Sequence, residues 1–177
     1  MVHTKIKINP LVRILNDLSL EIFSHLGGLN FDEKDFQIAL GYEFSKKKID
    51  YLRETHIELY YKDLPIKLGA PDFFVNNANP PLIIEVKLAN EINHAARKQL
   101  KMYLISIKRT PKSVLKNVDH GIILNFLKGE SVSIFDDEKK GKKKQLFKVQ
   151  VERYILEKNE NLKLLDKLEL KPVYKQD

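Results

Sequence analysis

Glu85 lies in the middle of an apolar run, Ile83-Ile84-Glu85-Val86-Lys87. A carboxylate there is costly to bury unless it is paired, hydrogen-bonded or bound to a metal. Read as a strand, the run puts Glu85 and Lys87 on one face, roughly 6–7 Å apart along the chain, with Val86 facing away. Asp72 follows Pro71 in a preceding candidate strand, and a hairpin joining the two strands would set it beside Glu85. Two carboxylates converging at a strand edge form a hard oxygen site suited to Mg²⁺ or Mn²⁺, with positions left for water and a phosphate oxygen. A lysine next to them can orient or deprotonate an attacking water, or stabilise charge in the transition state. The chemistry this points to is metal-assisted phosphodiester hydrolysis. Spacing alone leaves a plainer reading open, in which Glu85 and Lys87 form a salt bridge and Asp72 caps a turn.

The elements that must position these residues can be read from periodicity. Leu11, Ile14, Leu15, Leu18, Ile22 and Leu26 keep the three-and-four spacing of one helix face. After Gly27 and Gly28 a second helix is predicted from about Asp32 to Lys48, burying Phe36, Ala39, Leu40 and Phe44. Glu54 to Tyr61 and Leu64 to Lys67 read as a strand and its hairpin partner. Pro71 to Val75 and Leu82 to Lys87 read as two more strands, joined through the turn-forming run from Asn76 to Pro81. A helix is predicted over Asn90 to Lys108, and Asp119 to Phe126 is a nearly continuous apolar strand of the kind covered on both faces. Val132 to Phe135 and Leu146 to Ile155 read as further strands around a charged loop, and Glu157 to Leu170 as a short amphipathic helix on Leu162, Leu165 and Leu168. This order predicts an α/β fold with a mixed central β-sheet flanked by helices, built as one domain over residues 1–177 with 127–177 as its C-terminal extension.

Composition narrows the chemistry. The chain has no cysteine, which excludes disulfides, a thiolate nucleophile and thiolate-bound zinc, so any metal is held by oxygen or imidazole. The N-terminal residues lack an apolar signal core, and no stretch approaches the roughly 20 apolar residues of a membrane span. The expectation is a soluble intracellular protein, cytoplasmic or nuclear according to its host, without a membrane partner. A net charge of +7 favours an anionic partner such as nucleic acid. The lysine-rich loop around Lys142, Lys143 and Lys144 could touch a phosphate backbone, although the preceding Asp136, Asp137 and Glu138 leave its stretch at only +2. A solvated hairpin tip is the competing reading.

The series Pro71-Asp72, Glu85-Val86-Lys87, His94, Gln99-x-x-x-Tyr103 and Gly121-Ile122-Ile123-Leu124-Asn125-Phe126 resembles the GxxExxY proteins. These form a branch of the PD-(D/E)XK superfamily similar to RecB-type nuclease domains. The resemblance extends upstream through Gly28-Leu29, Glu33-Lys34-Asp35-Phe36 and Ala39-Leu40-Gly41-Tyr42-Glu43-Phe44, and covers roughly Leu11 to Phe126. Here Glu33 follows Gly28 by five residues and Phe36 stands in place of tyrosine, a departure that a two-residue loop insertion accounts for.

The resemblance implies a restriction-endonuclease-like core and a nuclease using Mg²⁺ or Mn²⁺ on nucleic acid, DNA favoured over RNA, with a 5′-phosphate on the product. It implies Asp72 and Glu85 as metal ligands, Lys87 as the residue assisting water, and Glu33, Gln99 and Tyr103 as support. Gln99 and Tyr103, four apart on a helix, share one face. Glu54 corresponds to a family glutamate and stays open between accessory metal ligand and surface charge. His94 matches the family pattern and is a candidate phosphate contact. His25, near a helix end, is where viral cap-snatching endonucleases of the superfamily carry a metal-binding histidine, although a dipole or packing role is the commoner use of such a residue. The alternatives are a catalytically silent binding or accessory module of the same fold and a cap-snatching-like RNA endonuclease. A homodimer is the assembly that would let such a nuclease reach two strands.

Overall fold

A computed structural model gives the architecture and describes residues 6–27, 29–110, 115, 117–128 and 148–170. The strands are β1 (Ile6–Lys7), β2 (Tyr51–Arg53), β3 (Ile57–Tyr61), β4 (Leu64–Gly69), β5 (Phe73–Val75), β6 (Ala78–Asn79), β7 (Leu82–Ala89), β8 (His120–Leu127), β9 (Val149–Leu156) and β10 (Leu162–Leu170). The helices are α1 (Ile8–Leu26), α2 (Glu33–Lys46) and α3 (His94–Arg109). Pro10 falls in the first turn of α1, where a missing N–H breaks no helical bond. Asp32 caps α2 by accepting from the N–H groups of Lys34 and Asp35, while the Asp35 carboxylate accepts from the Asp32 N–H. This reciprocal cap fixes where α2 begins and hence where Glu33 stands. No described helix is long and apolar enough to cross a membrane.

Six strands form the central sheet in the order β10-β9-β8-β7-β5-β2. All neighbours are antiparallel except β7 and β8, which run parallel and are joined by α3. The sheet is therefore mixed and flanked by helices, consistent with a restriction-endonuclease-like fold. On one face Leu11, Leu15, Phe36, Leu40 and Phe44 of α1 and α2 cover Ile84, Val86, Ile122 and Leu124. On the other, Leu100, Leu104 and Ile107 of α3, with Ile57 and Leu59 of the β3–β4 hairpin, cover Ile83 and Ile123. Gly121 lets α3 approach β8, since a Cβ there would lie 2.6 Å from Leu100 Cδ1. Both central strands are buried on both faces, which is why their sequences read as continuous apolar runs.

Two expectations are corrected. The strand predicted from Glu54 to Tyr61 starts later: a strand not predicted, β2, ends at Arg53, Glu54 turns with φ of 49°, and β3 begins only at Ile57, in a separate two-stranded sheet with β4. The helix predicted over Glu157 to Leu170 is instead strand β10, paired with β9 along its length. A bulge between Leu164 and Asp166 explains the misreading. An extra residue reverses the inside-outside phase, so Leu162 packs on the α3 side while Leu168 and Leu170 pack on the α1–α2 side. That phase change turns a two-residue period into leucines three apart. Of the other expected strands, Val132 to Phe135 lies outside the described residues.

Candidate active site

The site is built where β5 and β7 part. The two strands pair from Val75–Leu82 to Phe73–Ile84, and the next step of the ladder would join Asp72 to Glu85. There side chains take over from backbone. Asp72 Oδ2 accepts from the Val86 N–H at 2.7 Å, and Glu85 Oε1 accepts from the Asp72 N–H at 3.2 Å. The fork thus locks the two carboxylates against each other's strand. Lys87, two residues along the same face as Glu85, places its Nζ 3.4 Å from Glu85 Oε2. Glu33 arrives from the first turn of α2, with Oε1 3.6 Å from Lys87 Nζ and Oε2 accepting from the Leu88 N–H at 3.2 Å. Residues far apart in sequence, Glu33, Asp72, Glu85 and Lys87, therefore meet at one end of β7.

Charge at this fork is unbalanced, because three carboxylates face one ammonium, with the Arg53 guanidinium adding only the weakest of the influences on Asp72. Burial raises the Asp72 carboxyl above its ordinary range despite the Val86 hydrogen bond and the Lys87 charge. Glu85, only 1% exposed, is raised further, by burial first and by the negative charge of Asp72 second. Lys87 goes the other way. Burial opposes its charge, but Glu85, Glu33 and Asp72 outweigh that and hold the ammonium above its usual value. The fork is thus short of positive charge. Asp72 Oδ1 has no hydrogen-bond partner among the described residues, so an oxygen is available. Oxygen donors, missing cationic charge and an unpartnered carboxylate oxygen fit a hard divalent ion. Among the described residues no three acidic or histidine side chains converge tightly enough to enclose a metal, so an ion here would rest on Asp72 and Glu85 with water or phosphate completing its shell.

Gln99 and Tyr103 project from α3 with Gln99 Nε2 donating to Tyr103 Oη at 3.0 Å. Tyr103 is near enough to the fork that Glu85 and Asp72, after burial, push its phenol up. A cavity of about 210 Å³ opens beside Lys87, bounded by Ala89, Glu91, Asn93, Ala95 and Gln99. A polar row braces this end. Asn125 on β8 bonds both the N–H and the carbonyl of Ala89, and the Gln150 side chain on β9 accepts from Asn125 and from the Ile92 N–H. Lys87, Asn125 and Gln150 occupy one register row. Gln150 was not foreseen as part of this support; its signal in the sequence is a polar residue alternating with Val149 and Val151 along a strand.

The remaining candidates stand apart. Glu54 is 59% exposed, with Oε1 3.9 Å from Arg53 Nη2, while its N–H reaches the Asp72 carbonyl at 3.3 Å. His94 is exposed at the first position of α3. The described contacts of His25 are all within α1, its Nδ1 lying 2.8 Å from the Glu21 carbonyl oxygen and 3.2 Å from Ser24 Oγ. Lys142, Lys143 and Lys144 lie outside the described residues.

Neither the curated proteins nor the solved structures searched contain a match to the chain. The sequence does match the PD-(D/E)XK nuclease superfamily over residues 9–134, a span that takes in both flanking helices, the fork, α3 and β8. With the carboxylates and lysine standing at the fork of that same span, the chain belongs to the PD-(D/E)XK nuclease superfamily.

Proposed function

We propose that the protein is a divalent-metal-dependent nuclease that hydrolyses phosphodiester bonds of DNA, with Asp72 and Glu85 holding Mg²⁺ or Mn²⁺. The observation that carries this reading is the charge-deficient carboxylate fork. Asp72 and Glu85 are held by backbone N–H groups, yet both are raised in pKa, so a cation stabilises them more than any residue present does. When bound, the ion supplies Lewis acidity toward the phosphate and acidifies the attacking water. Without metal the carboxylate neighbours hold Lys87 as an ammonium; a divalent ion on Asp72 and Glu85 weakens that hold, and Lys87 then orients or deprotonates the attacking water or stabilises transition-state charge. Glu33 positions Lys87 through their 3.6 Å ion pair. Gln99 and Tyr103 border the substrate side as a hydrogen-bonded pair.

The test is a panel of end-labelled DNA and RNA substrates, single-stranded, duplex and branched, incubated with wild type and Lys87→Ala, with and without Mn²⁺. The expected result is Mn²⁺-dependent cutting of DNA that Lys87→Ala abolishes. Absence of metal-dependent cutting from every substrate would favour the silent binding module, and cutting confined to RNA and lost in His25→Ala would favour the cap-snatching type.

A further inference from the structure

A second cation lies one residue from the fork in sheet register, with its side-chain donors unpaired. Arg53 ends β2 and pairs across the sheet with Phe73, the residue after Asp72. Its guanidinium carbon sits 5.5 Å from the centre of the Phe73 ring, and its stem runs past Gly41 of α2, where a Cβ would lie 3.7 Å from Arg53 Cδ. The side chain is only 30% exposed, yet it makes no hydrogen bond among the described residues, and its buried Nε has no partner. The nearest acid, Glu54, remains 3.9 Å from Nη2, beyond hydrogen-bonding distance. Of the five donors of the guanidinium, Nε is the one shielded from water without a partner, and leaving a donor so is costly.

Arg97, similarly exposed at 36%, donates twice to Glu152 and once to Tyr154. Arg53 is comparably withdrawn and held by a ring, but its donors are left for something that is not part of the described chain. Its charge also reaches Asp72, which it favours in the ionised form. Phosphate oxygens match the planar fork of arginine in a bidentate manner that lysine cannot reproduce.

We infer that Arg53 is a substrate-binding residue that grips a backbone phosphate of the nucleic acid beside the Asp72–Glu85 fork, with Glu54 as the weak counter-ion that the phosphate displaces. The inference rests on the nuclease reading for the identity of its ligand. Arg53 contacts a phosphate on the Phe73 side of the fork while Lys87 serves the α3 side, so one strand of nucleic acid meets a cation on each side of the carboxylates. Glu54 then acts through Arg53 rather than as a metal ligand.

The test uses the full chain and fluorescein-labelled 20-base-pair DNA, with binding read by anisotropy in Ca²⁺ over a range of salt and cutting read separately in Mn²⁺. Arg53→Gln should weaken binding about tenfold. It should also make the slope of log affinity against log salt shallower by about 0.9, the signature of one lost phosphate contact. Arg53→Lys should keep the salt slope but recover only part of the affinity, because the charge is retained and the fork is lost. Glu54→Gln, a substitution at a side chain 59% exposed that leaves Arg53 in place, should tighten binding about two- to threefold, whereas a metal-ligand role for Glu54 predicts weaker Mn²⁺ affinity instead. Unchanged affinity and slope in Arg53→Gln, in a wild type that binds and cuts, overturns the assignment and leaves the nuclease reading standing. Loss of binding in Arg53→Gln when wild type binds without cutting supports the assignment and overturns the nuclease reading. A wild type that neither binds nor cuts overturns both.

Discussion

Glu85 and Glu152 occupy the same row of the sheet. Each is in register with Ile123, on opposite sides of it, so they point to the same face, separated by two strand spacings, about 10 Å. Both are nearly inaccessible, at 1% and 2% exposure. Their electrostatics are opposite. Glu152 receives two bonds from Arg97, at 2.7 and 2.8 Å, and a third from Tyr154 Oη at 2.5 Å, and its carboxyl is lowered although burial acts to raise it. Glu85 has one long lysine contact and one backbone N–H, faces a second carboxylate, and is raised. Identical chemistry at equivalent positions is satisfied internally in one case and left in deficit in the other. The deficit marks the site that an outside cation completes, and the satisfied pair ties α3 to β9.

Asp72→Asn and Glu85→Gln should each reduce Mn²⁺-dependent cleavage by at least about a thousandfold, since metal-supplied stabilisation is worth several kcal/mol. Neither should unfold the protein, because the amide keeps an acceptor for the backbone N–H. Arg97→Ala should do the reverse. It leaves Glu152 buried without its main partner and should cost about 1–3 kcal/mol in chemical denaturation, while cleavage by the folded fraction stays within a few-fold of wild type. Strong loss of activity with full stability in Arg97→Ala would place that pair in the chemistry and erase the distinction.

Acid–base behaviour sharpens the same contrast. Asp72 and Glu85 hold protons more tightly folded than unfolded, so their contribution to metal-free stability is fully present below about pH 4 and is lost as pH rises toward and through neutrality. Glu152 holds its proton less tightly when folded, so its contribution is present above the ordinary carboxylate range and lost as pH falls below it. In metal-free thermal melts, Glu85→Gln should match wild type in acid and exceed it in melting temperature near pH 8. Mn²⁺ should close that gap by stabilising wild type alone. A wild type that gains on Glu85→Gln as pH rises without metal would contradict the raised carboxyl. The smallest effect belongs to Tyr103→Phe, which removes the hydroxyl bonded to Gln99 and should lower cleavage about two- to tenfold.

The fork was legible because its signal is local. A glutamate and a lysine two apart inside an apolar strand announce a shared face, and Asp72 after Pro71 supplies the facing strand. The helices were legible through their apolar spacing, and of the predicted stripe Phe36, Leu40 and Phe44 are buried while Ala39 is half-buried. What escaped depends on distance along the chain or on a change of phase. Glu152 meets its arginine across 55 residues, so nothing near it in sequence distinguishes a paired carboxylate from a solvated one. Arg53 is conspicuous only for the hydrogen bonds it does not make, which no sequence displays. In β10 one bulged residue converted a strand's alternation into helical spacing. The start of α2, by contrast, was set by Asp32 and Asp35, and it brought Glu33 to Lys87 with only its cap as the local signal.

The central claim, that Glu85 and Asp72 form a cation site in waiting while Glu152 is already satisfied, is tested most directly by calorimetric titration of Mn²⁺ into wild type and Glu85→Gln near pH 7 in buffers of different ionisation enthalpy. Saturable binding to wild type with release of protons from the raised carboxyl pair is expected, with both the affinity and the proton release lost in Glu85→Gln. Equal Mn²⁺ affinity in the two proteins, or binding with no proton released, would contradict it.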